Sequence, residues 1–302
     1  MINHVIDLTT RPARLFVRNR QLVIEGAKGE ITMCPLAEIA VLVTAHPQIT
    51  VTQAVLAGLS EAGGVCVVCD AKSRPVATML PLVNHHLQTE RLHAQASASL
   101  PTKKRLWQQI VRNKIASQAQ VLRELHDHDF GLSQLAARVK SGDRSNVEAM
   151  VSRRYWRHLF GRAFRRNPDA DDQNRFLNYG YAILRAVVSR AITAVGLHPS
   201  LGLHHHNRYN PFCLADDLME PFRPRIDRRV VQIVRTCPPK SELTPEIKLQ
   251  LLAFLEERYS FEGQSRTIFD VLTRIASSLA DVFLRRQKVL ALPDWGDEKT
   301  KN

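Results

Sequence analysis

The sequence predicts an α+β fold, with a small β-rich N-terminal domain followed by a larger all-α C-terminal domain. Two observations carry this. Over the first 80 or so residues, short runs rich in Val, Ile, Leu and Phe are separated by turn-forming residues and alternate as half-buried strands do. From His85 onward, apolar residues recur every three or four positions, the period of an amphipathic helix.

Taken in order, HVIDLTT, ARLFVRN, QLVIEG and EITMCPL are β-rich runs broken by Arg-Pro, Asn-Arg and Gly-Ala-Lys-Gly. IAVLVTA is continuously apolar and reads as a buried strand. TQAVLAGLSEAG has helical spacing and ends at Gly63 and Gly64. GVCVVCD and PVATMLPL follow as strands, with Asp70 a turn residue. The composition changes between 82 and 88, which sets domains at 1–84 and 85–302. RLWQQIVRNKIASQAQVLREL carries apolar residues at 106, 110, 111, 115, 119, 122 and 125, a helix. NVEAMVSRRYWRHLF is a second, with Tyr155 and Trp156 facing the core. RFLNYGYAILRAVVSRAITAV is a third, stopped by Gly196. Gly180 inside it costs up to ~1 kcal/mol relative to Ala, which predicts close packing there. LTPEIKLQLLAFLEERY, with Pro245 in its first turn, and TIFDVLTRIASSLADVFLRR complete the set. The tail from Asp294 is expected to fray.

The chain has 302 residues, 44% apolar, enough for a real hydrophobic core. Its net charge is +13, unevenly placed. Residues 1–90 are neutral, residues 91–166 carry +11 and residues 167–302 carry +2. So localised a basic surface points to phosphate contact, with a solvated helical face as the plainer reading; Lys103, Lys104, Arg105, Arg112, Arg153 and Arg157 are the candidate contacts. No run of eighteen apolar residues occurs, and MINHVIDLTT lacks a secretion signal's apolar core, so no membrane role is expected. Five cysteines at 34, 66, 69, 213 and 237 suit a reducing, cytoplasmic location. Cys66 and Cys69 form a CxxC without a second pair, which reads as core thiols in a strand.

The densest group of metal-type ligands is LGLHHHNRYNPFCLADDLMEPFRP, residues 201–224. A helix restarting near Phe212 puts Asp217 and Glu220 on one face, with Leu214, Leu218 and Phe222 as its buried stripe. Carboxylates with one imidazole suit Mg²⁺ or Mn²⁺. Neighbouring histidines on an extended segment point to opposite sides, so either His205 alone or His204 with His206 can face an ion. The segment is equally a polar loop leading into an ordinary amphipathic helix. Glu148 has two readings as well. Ser145-Asn146-Val147-Glu148 has the capping-box spacing, yet Glu148 is also an acid among arginines, where a catalytic ion would be wanted.

NVEAMVSRRYW, LNYGYAILR and GLHPSLGLHHHNRYNPFCLADDLMEPFRP, in that order after a β-rich domain, resemble the CRISPR-associated spacer-acquisition integrases, the Cas-one family. The resemblance covers essentially the whole chain, and the LHHHN…ADDLMEPFRP form is most similar to type II systems. It implies Glu148, His205 and Glu220 as catalytic metal ligands, with Asp217 a supporting acid. Gly202 selects His205 through the family's G-x-x-H step, and Asp217-Leu218-Met219-Glu220 selects Glu220, where many members carry Asp. The implied function is a metal-dependent DNA endonuclease and integrase. It inserts short foreign fragments as new spacers into a CRISPR array by 3′-hydroxyl attack on a phosphodiester. The implied partners are double-stranded DNA of the spacer fragment and the repeat, a second copy in a homodimer, and the smaller Cas-two protein. Two dimers flank a Cas-two dimer in a heterohexamer, and other type II proteins are candidate partners. The alternatives from residue types alone are a non-catalytic basic DNA-binding scaffold and a phosphohydrolase of small nucleotides.

Overall fold

The computed structural model describes residues 3–9, 11–70, 75–83 and 85–296. Strands β1 (His4–Leu8), β2 (Ala13–Arg18), β3 (Gln21–Gly26), β4 (Ile31–Pro35), β5 (Ile39–Thr44) and β6 (Thr50–Val51) precede helix α1 (Gln53–Glu61), and β7 (Val65–Cys69) and β8 (Pro75–Met79) follow it. They form two four-stranded sheets, ordered β1-β5-β7-β8 and β4-β3-β2-β6. In the first sheet β1, β5 and β7 run parallel and β8 is antiparallel. In the second, β2, β3 and β4 form an antiparallel meander. Asn19 and Arg20 both take positive φ at the β2–β3 turn, the backbone twist that suits a two-residue hairpin. Leu15, Leu22, Leu42, Val55 and Leu59 are fully buried among the sheets and α1.

The helical part comprises α2 (Gln88–Ala96), α3 (Leu100–His126), α4 (Leu132–Ala136), α5 (Val147–Phe160), α6 (Asn174–Ala194), α7 (Cys213–Met219), α8 (Arg223–Val234), α9 (Pro245–Leu252) and α10 (Ile268–Phe283). Its core also takes in Val41, Val43, Val65 and Val67. The first sheet is therefore packed under the helices on one face, while Ile39, Leu42 and Cys66 join the other core, and burial on both faces is why IAVLVTA and GVCVVC lack strict alternation. Gly196 stops α6 at φ +71°. Gly180 packs as expected, since a Cβ there would lie 2.5 Å from Ile226 Cγ2. Tyr155 is fully buried with its hydroxyl on the Asp227 carboxylate, and Trp156 packs on Phe160 and Phe164. Cys66 and Cys69 are buried and unpaired, and burial pushes the Cys69 thiol up to about 12.

Two expectations need correction. The helical part is not all-α: the segment read as a single helix through Tyr259 ends in a short 3-10 turn, Ala253–Glu256. Arg258–Phe261 is then β9, paired antiparallel with β10 (Gln264–Thr267). The cause is local. Tyr259 and Phe261 are buried while Arg258 and Ser260 are exposed, a period of two, and Glu262-Gly263 is a two-residue turn with positive φ at both positions. Nor does the chain fray at Asp294. Its amide donates to the Ser260 carbonyl at 2.9 Å, and Trp295 is buried with its indole N–H on Asn113 at 2.7 Å. The rest of the tail lies outside the described residues.

Candidate active site

Helix α3 is the floor of the site. Its Trp107 is buried and stacks on His204, ring centroids 4.2 Å apart and 2° from parallel. Lys114, two turns on, lies on the same helix face and is also buried. Its ammonium is 2.6 Å from Glu148 Oε1 and 2.5 Å from Glu220 Oε2. Two acids 72 positions apart, on α5 and at the end of α7, thus share one cation. Arg223, at the start of α8, reaches the other oxygen of Glu220 at 2.5 Å.

Glu148 is available for this because it does not cap its helix. Asn146, the residue before α5, is left-handed at φ 53°. The α5 amides of Val147 and Glu148 donate instead to the two oxygens of Asp143, each at 2.9 Å. The capping-box reading therefore fails: Asp143 does that work and the Glu148 carboxylate turns to Lys114.

The histidine loop is built around Asp217, whose carboxylate is fully buried. It accepts the backbone N–H groups of Leu203 (2.6 Å), His204 (3.1 Å) and His205 (3.2 Å), and faces His205 Nδ1 at 2.7 Å. That partner sets the tautomer, Nδ1–H toward the acid and Nε2 with its lone pair outward. His204 is spent on Trp107, and His206 Nδ1 on the His204 carbonyl at 2.6 Å. Gly202 is required here: a Cβ would run into the His205 carbonyl oxygen and lie 2.9 Å from Cys213 Cβ. Gly202→Ala should therefore unseat the His205 loop, and thermal unfolding should show a loss of about 1–3 kcal/mol, the usual cost of forced overpacking.

Electrostatics bind the cluster together. Burial alone would raise the Glu220 pKa, but Arg223 and Lys114 hold it well below the ordinary carboxylate value. Burial likewise works against the Lys114 ammonium, and Glu220 and Glu148 more than restore it. The hydrogen bond to Asp217 raises the His205 imidazole above its usual value despite burial, with the negative charge of Glu220 adding to the effect.

The family model described as CRISPR associated protein Cas1 matches residues 6–241. The chain belongs to the Cas1 family. It is 39% identical over 285 residues to the CRISPR-associated endonuclease Cas1 of Neisseria meningitidis serogroup C (strain 8013), covering 93% of each chain. Among solved structures, its fold is similar to a casposase bound to integration product, with TM-score 0.80, 18% identity, and coverage of 96% of this chain and 93% of that one. It is similar also to a chain of a Cas6-RT-Cas1–Cas2 complex, with TM-score 0.70, 18% identity, and coverage of 95% of this chain and 35% of the other.

In this Cas1 chain the structure brings Glu148 and Glu220 together on Lys114 and aims His205 through Asp217. Among the described residues no three His, Cys, Asp or Glu side chains stand close enough to hold an ion as placed, and the Lys114 ammonium contacts both acids. Lys114 and Arg223 were not singled out from the sequence. The signal for Lys114 was its register: it falls on the buried stripe with Trp107, Val111 and Gln118, where a lysine needs a partner. Of the candidate DNA contacts, Arg105, Arg112, Arg153 and Arg157 are exposed, but Lys103 and Lys104 are only half-exposed. The Lys104 stem packs beside Gly142. Arg112 donates to the Val139 carbonyl at 2.8 Å, which commits one edge of its guanidinium to the protein. No helix among the described residues is long and apolar enough to cross a membrane.

Proposed function

We propose that this Cas1 chain is a divalent-metal-dependent DNA endonuclease and integrase that inserts short foreign fragments into a CRISPR array. The observation that carries it is the meeting of Glu148 and Glu220 on one cation beside a loop whose His205 is oriented by a buried acid. The donor set fits Mg²⁺ or Mn²⁺: two carboxylates already sharing a positive charge, and an imidazole nitrogen held outward with its other nitrogen on a carboxylate. Glu148, Glu220 and His205 would hold the ion, which when bound polarises a phosphoryl oxygen and lowers the pKa of an attacking hydroxyl.

The chain's own residues do the rest. The Asp217 carboxylate fixes the His205 ring and the loop backbone together, so the imidazole costs no reorganisation at the moment of reaction. Arg223 keeps Glu220 ionised. The exposed arginines of α3 and α5 supply phosphate contacts that set the position of the duplex. A 3′-hydroxyl of the fragment attacks a backbone phosphorus of the repeat and the repeat's 3′-oxygen departs with the proton, so one phosphodiester is exchanged for another without a covalent enzyme intermediate. The spacer fragment and repeat DNA are the substrates. The partners in this reading are a second copy and the smaller Cas2 protein, in a dimer-of-dimers around a Cas2 dimer, acting in the cytoplasm.

A single finding favours a non-catalytic DNA-binding scaffold, namely the ammonium seated between the acids. Strand transfer on branched repeat DNA, with Cas2 added, separates the two. Products formed with Mg²⁺ or Mn²⁺ and abolished by EDTA are expected. Binding without any transfer would support the scaffold, and turnover confined to mononucleotides would end the integrase reading.

A further inference from the structure

We infer that Lys114 is an internal competitor for the divalent ion, which holds ion affinity down in the DNA-free protein and makes ion uptake depend on DNA. This rests on the reading of Glu148 and Glu220 as ion ligands. The ammonium is 2.6 Å from Glu148 and 2.5 Å from Glu220. The Glu220 side chain is 3% exposed and that of Lys114 11%. A carboxylate as deeply placed as Glu220 needs a cation against it to stay charged, and Glu148, 24% exposed, shares the same one. Lys114 is that cation, carried on the rigid 27-residue α3.

The charge count gives the consequence. The negative charges of Glu148 and Glu220 are balanced by Lys114 and Arg223, with Asp217 and His205 beside them. A divalent ion added while the ammonium stays in place leaves the first four groups with two uncompensated positive charges, which is unfavourable in a partly buried space. A DNA phosphate entering the site brings negative charge and gives the displaced ammonium a new partner. Ion and DNA should then each strengthen the other's binding, as linkage requires. Lys114 is on this view a positioning residue that sets the order of assembly and keeps the site inert without its substrate.

The test uses the full-length protein and Mn²⁺, with binding followed by calorimetry. Lys114→Met keeps most of the length of the side chain and removes the charge. It is expected to bind Mn²⁺ at least about tenfold more tightly than the parent, since a positive charge at contact distance has gone. Mn²⁺ should also raise its melting temperature by more than it raises the parent's. Excess branched duplex, with uptake by DNA alone subtracted, should tighten Mn²⁺ binding strongly in the parent and little in the variant. Lys114→Gln, which retains N–H donors for the acids, gives the same comparison where the methionine variant does not fold. Equal or weaker Mn²⁺ affinity in the charge-free variants overturns the inference and makes Lys114 a support for the acids alone. Glu148→Ala is measured alongside. If it binds Mn²⁺ as the parent does, the ligand assignment itself has failed, a result distinct from failure at Lys114.

Discussion

Replacing Glu148 by alanine should lower strand transfer by at least 10²- to 10³-fold, roughly the loss when a group stabilising transition-state charge is removed. Duplex affinity should stay within about twofold, because the arginines proposed to contact phosphates are untouched. The variant is informative because its structural cost is small. Lys114 keeps Glu220 as a partner, Glu148 is the more exposed of the two acids, and the α5 cap belongs to Asp143. Glu220→Ala would be a poorer choice. It strips Lys114 and Arg223 of a shared buried anion, and breaking such a buried pair costs about 3–5 kcal/mol. An integration assay run beside a duplex-binding titration checks this. Retained transfer in Glu148→Ala would remove it from the catalytic set.

The largest effect on stability is expected at Asp217. Alanine there leaves three backbone N–H groups and one imidazole N–H without their acceptor, that of Leu203 buried and the others partly so. Each orphaned donor costs about 1–3 kcal/mol, and water admitted to the loop recovers part of it, so a net loss of about 3 kcal/mol or more is expected. Thermal unfolding measures the loss. Asp217→Asn divides the two roles. Its single oxygen can serve only one side, so the fold should survive better than with alanine while His205 loses its orientation and transfer falls. Wild-type transfer in the asparagine variant would show that His205 needs no such support.

The strands were legible because their alternation is local and Asn-Arg and Gly-Ala-Lys-Gly mark the turns. The long helices were legible from period alone. The β9–β10 hairpin was not, since Leu251, Leu252, Phe254 and Leu255 carry a helical spacing up to its edge and Tyr259 extends it by chance. Glu148 and Ser145 stood at capping distance, and nothing local says that Asn146 turns left-handed and passes the cap to Asp143. The ligand set came from ordered motifs rather than from physics read along the chain. What the chain alone could not show is Lys114: its meeting with acids 34 and 106 positions away is made by tertiary packing. Gly202 was legible only as part of a motif, and the structure supplies its reason in the turn beneath the His205 carbonyl.

Glu148, Glu220 and His205 are proposed to serve one divalent ion. The most direct measurement is anomalous diffraction from a crystal of the protein grown with branched DNA and Mn²⁺. The expected result is a manganese peak in contact with both carboxylates and His205 Nε2, with the Lys114 ammonium moved off the acids. A DNA complex with the scissile phosphate in place, Lys114 still between the two acids and no peak at these residues would contradict it.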